Sequence, residues 1–471
     1  MLLFIFIKKA FKFTRNTPLS KRYSIEKKHG GILKLHPEGK MKEKECSFSC
    51  DYGFDTPVFT EEMRKNYTIL TPDIFPLHLE LVVRVFRKYG YNIEILHARG
   101  KAVIDKGLEH IHNDMCYPAV CVAGQFIDAL KSGKYDPHKV ALVLFQTGGG
   151  CRASNYIWVL RKALEEMGMG YVPVLSLSLN KMEKHPGFKL VPSLLYKGLM
   201  SLVYGDMLTL LKNQTKPYEK NKGETDKLTS LWIEKLVDSL MAGKLLIGPA
   251  FRRTLKEIAA SYASIPRTNE KKVRVGIVGE IYVKYSPLGN NGLEDFLEKE
   301  GCEFMVPGVL PFFFYMFDNR INAKNLYGEK KGVSVSLLGM KFAKHIEKVM
   351  DKVLDEYPMF KKPSTFSHEK ELVDPILNRG VVMGEGWLLP AEVAELIELG
   401  YNNVICVQPF GCLPNHIVGK GTIRVLREKY KDANIFPIDY DSSASTVNQE
   451  NRIKLMLSMA REKELNETTG N

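Results

Sequence analysis

Three cysteines stand in segments where glycine or proline interrupts the chain ahead of a helical pattern, and they are the first candidates for chemistry. Cys151 lies in TGGGCRASN, between the apolar run KVALVLFQ and the amphipathic YIWVLRKALEEMG. Cys412 repeats this arrangement in QPFGCLPNHIVGKG, and Cys116 stands in the turn NDMCYPAV. A helix N-terminus and the neighbouring Arg152 should lower the pKa of the Cys151 thiol, and thiolate is the form that binds metal.

The glycine loop before Cys151 matches neither of the common phosphate-binding motifs, G-x-x-x-x-G-K-[ST] and G-x-G-x-x-G. Cys151 is therefore a ligand of a metal or cluster, a reactive thiol or a packed side chain, and Cys412 is a ligand or a core thiol. Glycine lets the backbone approach a bulky inorganic group closely. Four glycines are accordingly predicted to bind a cofactor: Gly148, Gly149, Gly150 and Gly411.

The other five cysteines are interpreted differently. Cys121, Cys302 and Cys406 stand in helical or apolar context, so we expect them to pack in the core. Cys46 and Cys50 form a C-x3-C pair that could hold a metal but has no further ligand close by in the sequence. Three separated thiols favour an iron–sulfur cubane over zinc, and three thiolates instead of the usual four would leave one iron open to another ligand.

Strand and helix patterns alternate in two regions of the chain, which predicts two α/β units with parallel sheets covered on both faces. Strand, glycine loop with one cysteine, and helix occur in that order at 139–165 and again at 402–430. Open α/β sheets bind ligands at the carboxyl ends of such strands. The predicted organisation is an N-terminal extension 1–57, a first α/β lobe 58–189, a helical connection 190–270, a second α/β lobe 271–457 and a polar tail 458–471.

The composition is that of a globular protein with a basic surface. Lysine and arginine number 67 against 54 aspartates and glutamates, an excess of 67 − 54 = 13. These basic residues are scattered and not interleaved with aromatic residues, so we expect a solvated surface and no nucleic-acid partner. The N-terminal MLLFIFIKKAFKF has too few apolar residues to cross a bilayer, and its lysines follow the apolar run instead of preceding it. We expect a cytoplasmic protein without a membrane partner, whose first residues form a frayed or surface-docked extension or a weak interfacial anchor.

Seven motifs, in this order, resemble those of the CoA-substrate-specific enzyme activase-related proteins, which belong with the 2-hydroxyacyl-CoA dehydratase family. They are NDMCYPAV, GQFIDAL, TGGGCRASNY, GEIYVKYSPLGNN, GEGWLLPAE, QPFGCLPNHIVGKG and DYDSSASTVNQENRIKL. The likeness extends from about residue 58 to about residue 457.

The resemblance implies an α/β fold of two Rossmann-like lobes with a 4Fe-4S cluster in the cleft between them. It implies that the metal ligands are Cys116, Cys151 and Cys412. It also implies an ATP-dependent activase as partner, which delivers one low-potential electron, and a second dehydratase subunit or a homodimer. In the dehydratases, that electron reaches a 2-hydroxyacyl-CoA and forms a ketyl radical anion that expels the hydroxyl group.

The expected function is therefore that of a 4Fe-4S protein of the dehydratase type, a lyase component acting on acyl-CoA. Glu280, Glu385 and His416 are the catalytic candidates, and Tyr282 and Asn290 are further polar residues of the same loops. Each could position a thioester or move a proton, or could simply cap backbone groups. The alternatives are an accessory electron-transfer or small-molecule reductase iron–sulfur protein without acyl-CoA dehydration, and a nucleotide-binding α/β protein without metal.

Overall fold

The fold contains two parallel β-sheets with the same strand order. The computed structural model describes residues 56–146, 150–178, 183, 185–243 and 248–469. The strands of these residues are β1 (Thr68–Pro72), β2 (Ile93–Leu96), β3 (Val140–Gln146), β4 (Val174–Ser178), β5 (Arg274–Gly279), β6 (Glu303–Met305), β7 (Asn403–Pro409) and β8 (Asn434–Tyr440). The first sheet has the order β2-β1-β3-β4 and the second β6-β5-β7-β8, with every pair parallel. The predicted α/β class with two parallel sheets is confirmed.

Helices surround both sheets. The first lobe carries α1 (Glu61–Asn66), α2 (Pro76–Lys88), α3 (Lys101–Leu108), α4 (Tyr117–Lys131) and α5 (Tyr156–Glu166). Between the lobes run α6 (Pro192–Thr215), α7 (Glu224–Met241) and α8 (Pro249–Ala263). The second lobe carries α9 (Ile281–Tyr285), α10 (Leu293–Lys299), α11 (Leu310–Tyr327), α12 (Val333–Leu354), α13 (Phe366–Val373), α14 (Leu388–Glu398), α15 (Ile423–Lys429) and α16 (Thr446–Thr469).

The strand order puts the cysteine loops at equivalent places in the two sheets. From β1 the chain crosses to one side to form β2 and then to the other side to form β3, and β5, β6 and β7 follow the same course. In register, Ile69 of β1 lies opposite Ala141 of β3, and Gly279 of β5 lies opposite Val407 of β7. The carboxyl ends of these central strands are the topological switch points where open α/β sheets bind ligands. Cys151 follows β3 and Cys412 follows β7, so each lobe presents one thiol at its switch point.

The helical connection joins the lobes through a buried aspartate of α6. Asp206 accepts hydrogen bonds from the backbone N–H groups of Val309 at 2.7 Å and Leu310 at 2.8 Å, at the start of α11. His78 of α2 contacts the same carboxyl, with Nε2 2.8 Å from Oδ1. Position 308, beside the Asp206 carboxyl, requires glycine, because a Cβ there would lie 2.7 Å from Asp206 Cγ. The connection is therefore a packed layer that fixes α11 of the second lobe against the first.

One helical stretch among the described residues, Pro192–Tyr218, is long and apolar enough to cross a membrane. However, 61% of its most apolar window is buried inside the fold. Met207, Leu208 and Leu211 of this stretch are fully buried in the main core. This burial identifies α6 as a core helix.

The segment 212–227 is largely helical, although its polar composition is typical of a loop. Helix α6 continues to Thr215 and α7 begins at Glu224. Gln214 explains the difference: its amide donates to the Lys361 carbonyl at 2.8 Å and accepts from the Lys361 N–H at 2.6 Å. Its polar side chain is therefore satisfied inside the protein, whereas the sequence pattern treats such residues as solvated.

Strand β5 ends at Gly279, although the apolar run KVRVGIVGEIYV continues to Val283. Gly279 has a φ of +140°, and a Cβ there would lie 2.1 Å from the Val407 carbonyl oxygen, so the chain turns tightly against β7. Glu280 then caps the next helix by accepting a hydrogen bond from the Val283 N–H at 2.9 Å. This cap outweighs the strand preference of the residues in α9.

Two further helical segments have sequences that do not indicate them. The aromatic residues of α11 in PFFFYMF do not follow a helical spacing. Helix α16 continues through 458–469, where a polar tail was predicted. The sequence there, SMAREKELNETT, is rich in strong helix formers, and these continue the helix through the exposed residues 461–466. Residues 1–55, with Cys46 and Cys50 of the predicted extension, lie outside the described residues.

Candidate functional site

The chain segments that carry the three candidate thiols meet at the boundary between the lobes. The Tyr117 N–H donates to the Phe410 carbonyl at 3.0 Å, which joins the Cys116 turn to the β7 loop. Gly411 has a φ of +74°, and a Cβ there would lie 3.0 Å from Cys116 Cα and 3.2 Å from Arg152 Nη1. Residues adjacent to each of the three cysteines are thus in mutual contact.

Two of the thiols stand at helix starts in the first lobe. Cys116 is the N-cap of α4, and its Sγ lies 2.9 Å from the hydroxyl of Tyr156, the first residue of α5. Cys151 caps the short 3-10 helix Arg152–Asn155 that leads into α5, and its Sγ accepts from the Ala153 N–H at 3.5 Å. Hydrogen bonds to sulfur of this kind tune thiolate ligands in iron–sulfur sites.

The third thiol lies in the second lobe beside an irregular turn. Cys412 is 8% exposed, and its Sγ accepts a hydrogen bond from the Asn415 side-chain amide at 3.2 Å. Residues 415–420 form a π-helix, an uncommon conformation that often occurs at functional sites. Pro414 packs against Gly384, where a Cβ would lie 2.9 Å from the proline Cγ. This contact brings the segment of Glu385 next to the cysteine loop.

Two carboxyls predicted to be catalytic are held at the start of the same helix. Glu280 accepts from the Val283 N–H at 2.9 Å, and Glu385 accepts from the Ile281 N–H at 3.0 Å. Burial raises the pKa of Glu280 to about 8, and the nearby charge of Glu385 contributes in the same direction. Burial also raises the pKa of Glu385. Both carboxyls lie close enough to Cys151 for their charges to raise the pKa of its thiol.

The prediction that Cys151 has a lowered thiol pKa is wrong. Burial raises this pKa to about 11, with smaller contributions from the neighbouring carboxyls. The guanidinium of Arg152 donates instead to the Asp114 carbonyl at 2.6 Å. Burial likewise raises the thiol pKa of Cys116 and, well above its ordinary range, that of Cys412. A neutral thiol is a poor nucleophile, so the raised pKa of the half-buried Cys151 disfavours its interpretation as a reactive thiol. A metal would displace their protons on binding.

The candidate donors are thiols from separate loops, which is the donor chemistry of iron–sulfur clusters. Thiolates from separate loops are the usual ligands of such clusters. Within the described residues, no group of three or more His, Cys, Asp and Glu side chains lies close enough together to hold one metal ion. A cubane differs in this respect, because its thiolates bind separate irons and therefore stand further apart.

The predicted glycine residues differ in how strictly their positions require glycine. At Gly411 a side chain would collide with backbone, as described above. Gly150 is exposed, and a Cβ there would contact only the flexible Met383 side chain, at 3.3 Å from its Cε. Gly148 and Gly149 lie outside the described residues. Gly411 is therefore the position at which substitution tests the site.

The remaining polar candidates have less direct connections to the thiols. His416 is half-buried, and its imidazole has no hydrogen-bond or ion-pair partner within the described residues. The backbone N–H of His416 donates to the Cys412 carbonyl at 3.1 Å. Asn290 accepts from the Gly292 and Leu293 N–H groups, both at 3.1 Å. Asn290 therefore caps α10, the alternative considered for such residues. A catalytic role for His416 stays a prediction.

The cysteines expected in the core are buried there. Cys121, Cys302 and Cys406 are 0%, 1% and 4% exposed, respectively, and all pack in the two largest hydrophobic clusters. This part of the cysteine assignment is confirmed.

Sequence reasoning missed a set of buried charges behind the site. Lys284 of α9 forms an ion pair with Glu392 of α14, and each side chain is no more than 5% exposed. Glu395 and Glu369 are also buried nearby. A signal was present in LLPAEVAELIE, where two acidic residues interrupt an otherwise apolar helix. Tyr156 and Asn415, the partners of the thiols, carry no comparable signal.

Exposed apolar side chains occur near Cys151 and Cys412 in the chain and in the segment 382–384, which contacts Gly150 and Pro414. Such residues at neighbouring positions indicate an interaction surface more often than isolated ones do. We call this set the apolar rim; it comprises Phe145, Val382, Met383, Phe410, Leu413 and Ile417, which are between 43% and 62% exposed.

Comparison with known proteins adds no assignment: no family model matches the chain, and no curated protein matches it.

Proposed function

We propose that this chain is a 4Fe-4S protein of the 2-hydroxyacyl-CoA dehydratase type, with Cys116, Cys151 and Cys412 as the cluster ligands. The observation that carries the proposal is the contact among the three cysteine segments at the carboxyl ends of the two sheets. There, Gly411 meets both Cys116 and Arg152. The half-buried sulfur of Cys151 and the buried sulfur of Cys412 already accept hydrogen bonds from Ala153 and Asn415, which suits thiolate ligands.

A bound cluster would supply single electrons at low potential to a substrate in the cleft. The chain's own contribution is to exclude water and to provide protons. Glu280 and Glu385 each use one carboxyl oxygen to accept a backbone N–H. The other oxygen of Glu280 can carry a proton at neutral pH, because burial raises its pKa to about 8, and burial raises the pKa of Glu385 in the same direction. Such a carboxylic acid can protonate a hydroxyl group as it leaves the 2-position of an acyl-CoA.

The apolar rim supports a protein partner at the site. Electron transfer to a buried cluster requires a donor to come close, and the rim provides, near the loops of Cys151 and Cys412, apolar surface of the kind found in interfaces. We assign this surface to an ATP-dependent activase that delivers the electron. A second dehydratase subunit, or a second copy of this chain in a homodimer, is the other expected partner, and a cytoplasmic location agrees with reduced thiols.

An alternative function is that of an accessory electron-transfer or small-molecule reductase iron–sulfur protein without acyl-CoA dehydration. The position of one large cleft favours it. This cleft, of about 950 Å³, is bordered by Arg274, Asn403 and Asn434 at the amino ends of the second sheet's strands. It therefore lies at the end of the sheet opposite to the thiols, where it cannot bring an acyl-CoA to the cluster.

Anaerobic purification tests the proposal. The protein should be brown and contain about four irons and four sulfides per chain. A well-folded, colourless protein without iron would contradict the cluster and leave a metal-free α/β protein. Assays with activase, ATP and a series of 2-hydroxyacyl-CoA esters then separate the two functions. Dehydration supports the first, and reduction of small molecules without dehydration supports the second.

A further inference from the structure

A buried ion pair lies directly behind the thiol site. Lys284 of α9 has its Nζ 2.9 Å from Glu392 Oε1 and 3.1 Å from Oε2 on α14. The two side chains are 5% and 3% exposed. Because Lys284 is in the helix capped by Glu280 and Glu385, this pair connects the site to the interior of the second lobe.

Two more carboxyls occupy the same interior. Glu395 lies nearly one turn further along α14 and accepts a hydrogen bond from the Ser364 N–H at 2.6 Å. Glu369 of α13 is 1% exposed, and its Oε2 has no hydrogen-bond partner in the described part of the chain. An ionised carboxylate with an unpartnered, buried oxygen is strongly disfavoured, whereas a protonated carboxyl tolerates that environment.

The balance of charge requires stored protons. The ammonium group of Lys284 lies close enough to act on the pKa of five buried carboxyls: Glu280, Glu369, Glu385, Glu392 and Glu395. One positive charge cannot compensate five negative charges in a low-dielectric interior. Several of these carboxyls must therefore be neutral. Burial raises the pKa of each, and that of Glu395 rises to about 8.

The carboxyls extend from the thiol site towards solvent. At the outer end, His368 of α13 is 42% exposed, and its Nε2 lies 2.9 Å from Glu398 on α14. A positive charge on His368 acts to lower the pKa of Glu395, and Glu347 of α12 faces Glu369, where its negative charge acts to raise the pKa of Glu369. At the inner end stand Glu385 and Glu280. These groups, with Lys284 from α9, are the titratable groups that face the buried carboxyls from the surrounding helices.

We propose that Glu369, Glu392 and Glu395, arranged around Lys284, store protons and relay them from His368 at the surface to Glu385 and Glu280 beside the thiols. The use of these protons rests on the proposed function. Each electron that enters the site would raise the proton affinity of Glu385 and Glu280, and whichever of the two is ionised would take up one proton passed inward from the store, so that one O–H bond breaks at the donor and one forms at the acceptor. One proton from solvent then refills the store, and no bond other than those to hydrogen changes.

Infrared spectroscopy of the full chain tests the store without requiring the cluster. Protonated carboxylic acids give a carbonyl band that shifts in D2O, and we expect this band in the wild type at pH 7. Glu369→Gln and Glu395→Gln should each weaken it, while Glu428→Gln, a control at an exposed position, should not. Absence of the band in the wild type would overturn the proposal, since that measurement needs no variant to fold.

The reduction potential of the iron-loaded protein tests the relay. With one proton taken up per electron, the potential should fall by about 59 mV per pH unit, the equivalent of a tenfold change in proton concentration. A potential that does not change with pH in the wild type would overturn the coupled proton uptake. Because the store carboxyls only transmit the proton, both buried variants should keep this slope but be reduced at least tenfold more slowly than Glu428→Gln, and an unchanged rate in both would overturn the relay even if the infrared band is present. An iron-free protein that still has the band would overturn the proposed function and the use of the store, but not the stored protons.

Discussion

Gly411 of the second lobe and Cys116 of the first lobe are in contact so close that a side chain at Gly411 would crowd the backbone of Cys116. A Cβ at Gly411 would lie 3.0 Å from Cys116 Cα and 3.3 Å from its backbone nitrogen. The φ of +74° at Gly411 is also unfavourable for any residue with a Cβ. The boundary between the lobes is therefore closed by backbone, at the point where the two thiol loops meet.

Gly411→Ala should disturb this contact. The left-handed conformation costs an alanine about 1–2 kcal/mol, and relief of the collision moves the β7 loop away from Cys116. We expect a lower free energy of unfolding and a loss of at least half of the bound iron. Gly150→Ala is the matched control, because the side chain added there meets only Met383. Equal iron content in both variants would show that the contact does not support the site.

Asp206→Ala should destabilise the junction between the helical connection and the second lobe. It leaves the buried N–H groups of Val309 and Leu310 without their acceptors, and each unsatisfied donor costs about 1–3 kcal/mol. We expect a loss of about 3 kcal/mol in chemical denaturation. Asp355→Ala removes an exposed ion pair with Lys362 and should cost less than about 1 kcal/mol. Similar losses in the two variants would contradict the role assigned to Asp206.

The stability of the protein should decrease with rising pH over the range set by Glu395. Its pKa is raised by burial from the ordinary 4.5 to about 8, so the folded state binds a proton that the unfolded state has lost. This stabilisation is fully present below about pH 4.5 and is lost as the pH rises towards about 8, with a slope of up to about 1.4 kcal/mol per pH unit. Glu395→Gln should flatten this part of the curve in urea denaturation series. A steeper or unchanged dependence in the variant would exclude a neutral Glu395.

Ile417→Asp should impair electron delivery by the activase without affecting cluster assembly. Ile417 is 62% exposed in the apolar rim, so a charge there should weaken a protein interface and leave the fold intact. We expect the rate of ATP-dependent reduction to fall at least tenfold. Reduction by dithionite, which needs no docking, should be unchanged. Leu465→Asp, on the outer part of α16, is the control, since Leu465 is 65% exposed but distant from the thiols in the chain. Normal activase-driven reduction of Ile417→Asp would show that the apolar rim is not the docking surface.

Much of the fold could be predicted from the sequence because parallel strands covered on both faces read as short apolar runs between helical patterns. The positions of Cys151 and Cys412 after β3 and β7 followed from the same pattern. The thiol pKa of Cys151 could not be predicted, because it depends on burial and on carboxyls that lie more than a hundred residues further along the chain. Local features such as the helix start and Arg152 suggested the opposite direction.

Local sequence patterns also could not predict the buried acidic residues around Lys284. Glu392 and Glu395 are charged residues in an apolar helix, and only the fold reveals that Lys284 of α9 lies opposite them. The short α9 itself depends on caps from Glu280 and from Glu385, about a hundred residues away. Long-range partners of this kind determine both the local structure and the charge of the site.

Iron content after anaerobic purification of four single variants tests the central claim most directly. Cys116→Ala, Cys151→Ala and Cys412→Ala should each lose most of the iron, because each removes one thiolate ligand. Cys302→Ala, which removes a fully buried core thiol, should retain the iron of the wild type and lose only packing stability. If the three candidate variants keep the full iron content, or if Cys302→Ala loses it, these three thiols do not hold a cluster.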